Sequence, residues 1–362
     1  MVVSGLKGHY RKSLVSFIFE CRNMMYKGKV IRKDGRIMCY KDEVQKKNAE
    51  KLQKRFEKDN VSAFIQKYFI NIESKDGAIN YYIAIKDLLL WLMDKKIINK
   101  TSLGDIAPED FYEVESEDVT LYLKNKEQDG MSPTTLETRK NIFSSFWKYL
   151  KRTKKCPVKG NIIADVSYKG ISSNNNLVKK FPSETQLKNM EEKIMKKKDE
   201  FIRIRNLIIL RVLKGTGLRE SELAGLNMSD LYLNEDIPYI TTIRKGKYRE
   251  REAMTVYLTG DAASAINEWL EYRNTLKSII NEEAVFINKN GNRLSEYNIQ
   301  SIFKTYGDGM SCHMIRHWYA TVMANTGNLA FAQQQLGHSS VNTTVNNYAN
   351  GIYGMKDVLA NM

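Results

Sequence analysis

Between residues 61 and 150, apolar side chains recur every three or four positions, the spacing that gathers them on one side of an α-helix. Val61 to Phe69 and Ile79 to Met93 carry this pattern, and Leu136, Ile142, Phe143, Phe146, Trp147 and Leu150 form a third stripe. Ser132-Pro133 stands just ahead of that stripe, a helix start in which proline's missing N–H costs nothing. The predicted helix runs into Lys151-Arg152-Thr153-Lys154-Lys155. That basic end suits phosphate groups and the negative end of the helix dipole equally well.

Either side of this helical stretch the pattern changes. Towards the N-terminus, Asp34-Gly35 sits between two short β-prone runs from Val30 to Met38, which predicts a hairpin, and a highly charged helical pattern follows from Asp42 to Glu57. Residues 156–181 hold Pro157, Gly160, Gly170 and the polar run Ser172-Ser173-Asn174-Asn175-Asn176 with little periodicity, the composition of a linker. The linker closes on Pro182-Ser183-Glu184-Thr185-Gln186, with Ser183 and Gln186 at capping-box spacing. Beyond it, a helix is predicted over about 201–214, stopped by Thr216-Gly217. Strands at Tyr239–Ile243 and Ala253–Leu258 pair around a Lys-Gly-Lys turn, and helices follow near 261–276, 296–305, 313–325 and 329–336.

The pattern therefore predicts a mainly α chain with a small antiparallel β-sheet. Its segments are 1–58 (hairpin plus helix), 59–155 (helical), the linker 156–181, and the mixed α+β segment 182–362. A length of 362 residues with 42% hydrophobic and 10% aromatic content supports two to three buried cores. Charge adds a partner. The 57 basic against 42 acidic residues leave a formal +15, which points to a polyanion, with nucleic acid first, because bound lysines and arginines release condensed counterions.

Cysteine argues against metal and disulfides. Cys21, Cys39, Cys156 and Cys312 are far apart and form no Cys-x-x-Cys pair, so neither a disulfide framework nor a zinc site is suggested and a reducing compartment fits. The first twenty residues lack a long apolar core with a small-residue cleavage site. The most apolar run, Leu88 to Met93, is too short to span a bilayer. A cytoplasmic protein is expected.

Candidate chemistry clusters late in the chain. Three of the four histidines, His313, His317 and His338, fall within the last fifty residues. A helix from about 313 places His313, Arg316 and His317 on neighbouring positions of one face. A guanidinium beside a titratable imidazole is costly to bury unless an anion lies between them, and a phosphate would serve. The same histidines could be read as metal ligands, but Arg316 among them repels a cation and no nearby carboxylate completes the set. A second arginine, Arg219, sits in Lys214-Gly215-Thr216-Gly217-Leu218-Arg219-Glu220-Ser221-Glu222-Leu223, where an apolar helix stops at glycine and a new one begins. Arginine in a first helical turn opposes the dipole, so it either projects towards an anion or pairs structurally with Glu222.

Gly-Thr-Gly-Leu-Arg-x-Ser-Glu-Leu, His313-x-x-Arg316-His317, and Leu336-Gly337-His338-Ser339-Ser340 with Tyr348 shortly after resemble, in order and spacing, the tyrosine recombinase (phage integrase) family. Ala320-Thr321 and Thr343-Thr344 match its pattern as well. The resemblance covers 182–362 well and 59–155, which is similar to the family's core DNA-binding domain, to a lesser degree. Residues 1–58 are faintly like the arm-binding domain of some integrases.

The resemblance implies site-specific strand cleavage and rejoining through a 3′-phosphotyrosyl link, with Tyr348 as nucleophile and no metal or nucleotide cofactor. By motif position it implies Arg219 and Arg316 as stabilisers of the pentavalent transition state, His313 as acid/base, His338 on the phosphate and Glu222 as a supporting acid. The family's hairpin lysine, the proton donor to the leaving oxygen, matches Lys245, with Arg244 in place of the usual first glycine and Lys247 as the alternative. Counting from His338, the usual family spacing arrives at Asn347, so an extra residue must be accepted to reach Tyr348; Tyr353 lies too far along. Double-stranded DNA with specific recombination sites and a tetrameric synapse are the implied partners, with integration or excision of a mobile element as the implied task. The rival readings are a type IB topoisomerase, a silent DNA-binding protein of the same fold and a metal-dependent nuclease.

Overall fold

The computed structural model describes residues 25–26, 29–30, 40–70, 72, 74–153, 156, 158, 160–168, 181–243, 253–325 and 329–337. They form two compact units, one from Asp42–Leu177 and the other from Met1–Lys41 with Val178–Met362. The N-terminal part of the latter carries a short antiparallel pair, β1 (Met25–Tyr26) with β2 (Lys29–Val30). The hairpin predicted at Asp34-Gly35 lies outside the described residues.

The first unit is helical: α1 (Tyr40–Lys58), α2 (Ala63–Ile70), α3 (Lys75–Asp94), α4 (Ser116–Gln128) and α5 (Pro133–Arg152). Helix α5 starts as its sequence predicts: Ser132 Oγ accepts from the Thr135 N–H at 3.3 Å and Pro133 stands first in the helix. Its predicted stripe is the centre of the core, with Leu136, Phe143, Trp147 and Leu150 fully buried. Phe146 meets the rings of Tyr68 and Phe111 edge-on, at 5.1 and 5.6 Å between centroids, an arrangement that suits the aromatic quadrupoles. Part of the stretch read as linker packs here too. Ile163, Val166 and Tyr168 are buried against this core, and Lys140 Nζ donates to the Val166 and Tyr168 carbonyls at 3.0 and 2.9 Å.

One polar knot ties three helices of this unit. Asp87 on α3 accepts from the Tyr122 hydroxyl of α4 at 3.0 Å, pairs with Lys126 at 3.2 Å and takes a short charge-assisted bond from Arg139 of α5. Burial alone would raise the Asp87 carboxyl, but Arg139, Tyr122 and Lys126 together outweigh it and hold it below the ordinary carboxylate range. A folded-state pKa below the unfolded value of about 3.9 stabilises the protein above that pH and is lost as pH falls through the folded value. Asp87→Asn should therefore lower the urea midpoint at neutral pH, and the gap to wild type should narrow in acid. A gap that is constant with pH would show that charge is not what holds the knot.

The second unit carries the mixed segment: α6 (Glu184–Met195), α7 (Glu200–Thr216), α8 (Glu220–Ala224), β3 (Leu231–Tyr232), β4 (Tyr239–Ile243), β5 (Ala253–Tyr257), α9 (Ala262–Asn274), α10 (Glu296–Tyr306), α11 (Cys312–Asn325) and α12 (Leu329–Leu336). Helix α6 opens on the predicted reciprocal cap, Ser183 with Gln186. Helix α7 is the central element, with Ile208, Ile209, Leu210, Val212 and Leu213 buried, and it packs against α9 and α11. The sheet is antiparallel in the order β3-β4-β5, with Tyr239 opposite Tyr257 and Ile243 opposite Ala253. Ile240 and Val256 face the core. Tyr232, Tyr239 and Tyr257 line up across neighbouring strands, and the first two rings stack at 4.5 Å and 11°. Among the described residues no helix is long and apolar enough to cross a membrane.

Candidate active site

Each position of the first motif has a local physical task. Gly215 lets the end of α7 approach the start of α9: a Cβ there would lie 2.4 Å from the Thr259 carbonyl oxygen and 2.6 Å from the Ala262 Cβ. In return, the Gly215 carbonyl accepts from the Thr259 N–H and hydroxyl at 3.1 and 2.8 Å. The buried Thr216 hydroxyl donates back to Val212 O at 2.7 Å and accepts from the Leu218 N–H at 3.3 Å. Gly217 ends the helix at φ +60°, where glycine pays no steric penalty. Leu218 enters the core.

Arg219 then stands at the N-cap of α8, one position before the first turn in which the sequence placed it. Its guanidinium donates to Glu222 Oε1 at 2.8 Å, and its backbone N–H donates to Glu222 Oε2 at 3.0 Å. The dipole conflict expected for an arginine inside the first turn is thereby avoided, and the carboxylate two-handedly fixes the arginine. The Arg219 side chain keeps 28% of its surface exposed while that of Glu222 keeps 2%, so the ion pair is anchored from within and open to solvent on the arginine side.

The second motif supplies the other cation. Helix α11 presents Arg316 inward. Nη1 donates to Gly217 O at 2.6 Å and Nη2 to Leu336 O at 2.5 Å, and Nη1 lies 3.8 Å from Glu222 Oε2 with only 4% of the side chain exposed. Arg316 thus gathers three elements: the turn after α7, the cap of α8 and the C-terminal end of α12. The helix ends at Gly217 and Leu336 expose carbonyls that no intrahelical N–H reaches, and a guanidinium fork has the geometry to take two of them. Two guanidiniums converge on one carboxylate, an arrangement suited to seat an anion.

His313 and His317 lie one turn apart on the same helix, with ring centroids 4.4 Å apart and planes at 80°. His313 is exposed and His317 half-buried, whereas the Arg316 side chain is buried. The backbone carbonyls that Arg316 binds, at positions 217 and 336, are remote from it in the chain. Lys245, its alternative Lys247, His338 and Tyr348 lie outside the described residues, as does Tyr353.

Sequence reading passed over Gln335. It is fully buried and binds the outer edge of β5 through its amide. The only available signal was a third glutamine, in Gln333-Gln334-Gln335, at a helix position where an apolar residue would be expected. Cys312, at the start of α11, is also buried, and burial pushes its thiol far up, which makes it an unreactive core residue.

Residues 185–353 match the model of the phage integrase family, a span that contains Arg219, Lys245, His313, Arg316, His338 and Tyr348. The chain is 36% identical over 148 residues to "Tyrosine recombinase XerC" of Neisseria gonorrhoeae, covering 39% of this chain and 46% of that protein. It is 29% identical over 224 residues to the XerC of Vibrio atlanticus, covering 60% of this chain and 67% of that one. The chain thus spans about half the length of the first relative and two thirds of the second. Two solved structures share the fold. One is the XerH site-specific recombinase bound to palindromic difH substrate, with a TM-score of 0.56 at 20% identity, covering 76% of both chains. The other is a lambda integrase dimer bound to a COC′ core site, also 0.56 at 16% identity, covering 82% of this chain and 94% of that one. Residues 185–353 are thus a phage integrase family domain, and the chain is similar to tyrosine recombinases.

Proposed function

We propose that this chain cuts and rejoins double-stranded DNA at specific recombination sites through a 3′-phosphotyrosyl intermediate formed by Tyr348. The observation that carries the reading is the convergence of Arg219 and Arg316 on the single carboxylate of Glu222. Two guanidiniums held by one buried acid form a pre-set positive locus, and such a locus acts on charge that grows in the transition state without reorganising. A phosphodiester under attack gains negative charge on its non-bridging oxygens, which planar, permanently charged forks match.

In this reading Arg219 and Arg316 stabilise the phosphorane, Glu222 supports them, His313 acts as acid/base, His338 contacts the phosphate and Lys245 protonates the leaving 5′-oxygen. The helical segment 59–155 and the catalytic segment 182–362 grip the duplex, the formal +15 charge supplying the salt-dependent part of the affinity. Residues 1–58 bind separate arm sites. Four copies on two DNA sites make the synapse, and the exchange integrates or excises a mobile element. The family relationship and the order of the motifs along the chain support these assignments.

The test is covalent trapping on nicked DNA carrying the element's junction, in EDTA, with wild type beside Tyr348→Phe. A denaturant-resistant protein–DNA adduct is expected from wild type and none from the variant. An adduct that persists in Tyr348→Phe moves the nucleophile to another tyrosine. No adduct from wild type on a verified site leaves a DNA-binding protein without cleavage, and loss of cleavage in EDTA alone would favour a metal-dependent nuclease.

A further inference from the structure

Among the described residues strand β5 is an outer strand of its sheet, and an outer strand presents one row of N–H and C=O groups that its neighbour does not use. At Tyr257 that row is taken by a side chain. Gln335 Oε1 accepts from the Tyr257 N–H at 2.9 Å, and Gln335 Nε2 donates to the Tyr257 carbonyl at 3.0 Å. The primary amide stands where the peptide of a fourth strand would stand. Its second N–H reaches the Tyr319 hydroxyl of α11 at 3.2 Å, and one turn earlier on α12 the Phe331 ring stacks on Tyr257 at 6.1 Å and 23°.

For mere packing of α12 on the sheet an apolar side chain would serve as well, since burying an amide costs free energy unless its bonds are met. What the amide adds is register. It binds both the N–H and the carbonyl of Tyr257, so it sets where the strand lies along the helix. The same end of α12 has a second anchor, independent of the amide, because Leu336 O is held by Arg316. Loss of the amide therefore loosens the strand and leaves the helix end in place. In sequence, Lys245 lies between the end of β4 at Ile243 and the start of β5 at Ala253.

We infer that Gln335 is a positioning residue for the proton donation assigned to Lys245: it fixes strand β5 against α12, and Lys245 lies in the sequence between β4 and β5. The inference rests on the reading of Lys245 as proton donor. In the cleavage step Tyr348 Oη bonds to phosphorus, the P–O5′ bond breaks, O5′ takes a proton from Lys245 Nζ, and the tyrosine's proton passes to His313. A substrate with sulfur in place of O5′ breaks a P–S bond instead, and the thiolate leaves without needing that proton, being stable near neutral pH where an alkoxide is not.

The experiment compares adduct formation by wild type and Gln335→Met on the two nicked substrates, oxygen-bridged and sulfur-bridged, with thermal melting as a check of folding. Misplacement of a catalytic group by ~1 Å costs about 10²-fold, so slowing of that order is expected on the oxygen bridge and no more than about threefold on the sulfur bridge. Equal slowing on both, or none on either, overturns the inference. Wild type that cleaves neither substrate overturns the cleavage reading itself, a different failure. Should Gln335→Met not fold, Tyr319→Phe takes its place, because it removes the hydroxyl that holds the amide. The same preference for the sulfur bridge supports the inference, and equal rates relative to wild type overturn it.

Discussion

Arg316→Ala should abolish adduct formation and, in the same protein, lower the free energy of unfolding by about 3–5 kcal/mol, the usual cost of removing one partner from a buried charge pair. The two effects have one origin. The guanidinium is 4% exposed and binds Gly217 O and Leu336 O while lying beside Glu222. Truncation leaves two carbonyls and a buried carboxylate with fewer partners and removes a cation from the anion seat. Loss of one transition-state donor costs roughly 10²–10³-fold in rate, and the accompanying release of α12 adds to it. Arg316→Lys separates the contributions. An ammonium has no planar fork to span two carbonyls, so the lysine variant should regain part of the stability and little of the rate. Urea denaturation and single-turnover cleavage read both quantities, and an alanine variant as stable as wild type would mean that Arg316 does not hold the three elements together.

Gly217→Ala should have the second-largest effect, although it deletes nothing. The residue sits at φ +60°, where an L side chain costs about 1–2 kcal/mol. A Cβ there would also approach Tyr319 Cδ1 to 2.5 Å and Leu336 Cδ2 to 3.1 Å, and forcing extra volume into a packed interior costs typically about 1–3 kcal/mol. A combined loss of about 2–5 kcal/mol is expected in urea. Since the Gly217 carbonyl is an Arg316 acceptor, cleavage should fall as well. A variant that melts as wild type does would show that the turn can relax.

Much of this was legible in the chain. Helices with a strong apolar period, such as α5, α7 and α10, begin and end within a few residues of their predicted bounds, because caps and periodicity are local signals. Helix α4 escaped notice because only Val119, Tyr122 and Leu123 are buried along its thirteen residues, too few to make a stripe. The two-residue strand β3 carries no pattern at all. At the candidate site, the residue types and the order of the motifs were readable, and the pairing of Arg219 with Glu222 was one of two outcomes left open. The inward turn of Arg316 was not readable, since its acceptors are backbone carbonyls that any sequence possesses. Gln335 was hidden for a related reason, its partner being the backbone edge of a strand.

The sharing of Glu222 between two arginines also bears on how the site can change. A carboxylate that serves both guanidiniums makes them one thermodynamic unit, so the losses from altering each singly should not add when both are altered. A substitution at one arginine shifts the environment of the other through the acid between them. Stepwise drift at this locus therefore meets a barrier at every single step, and a sequence that departs from the trio has to alter its members together.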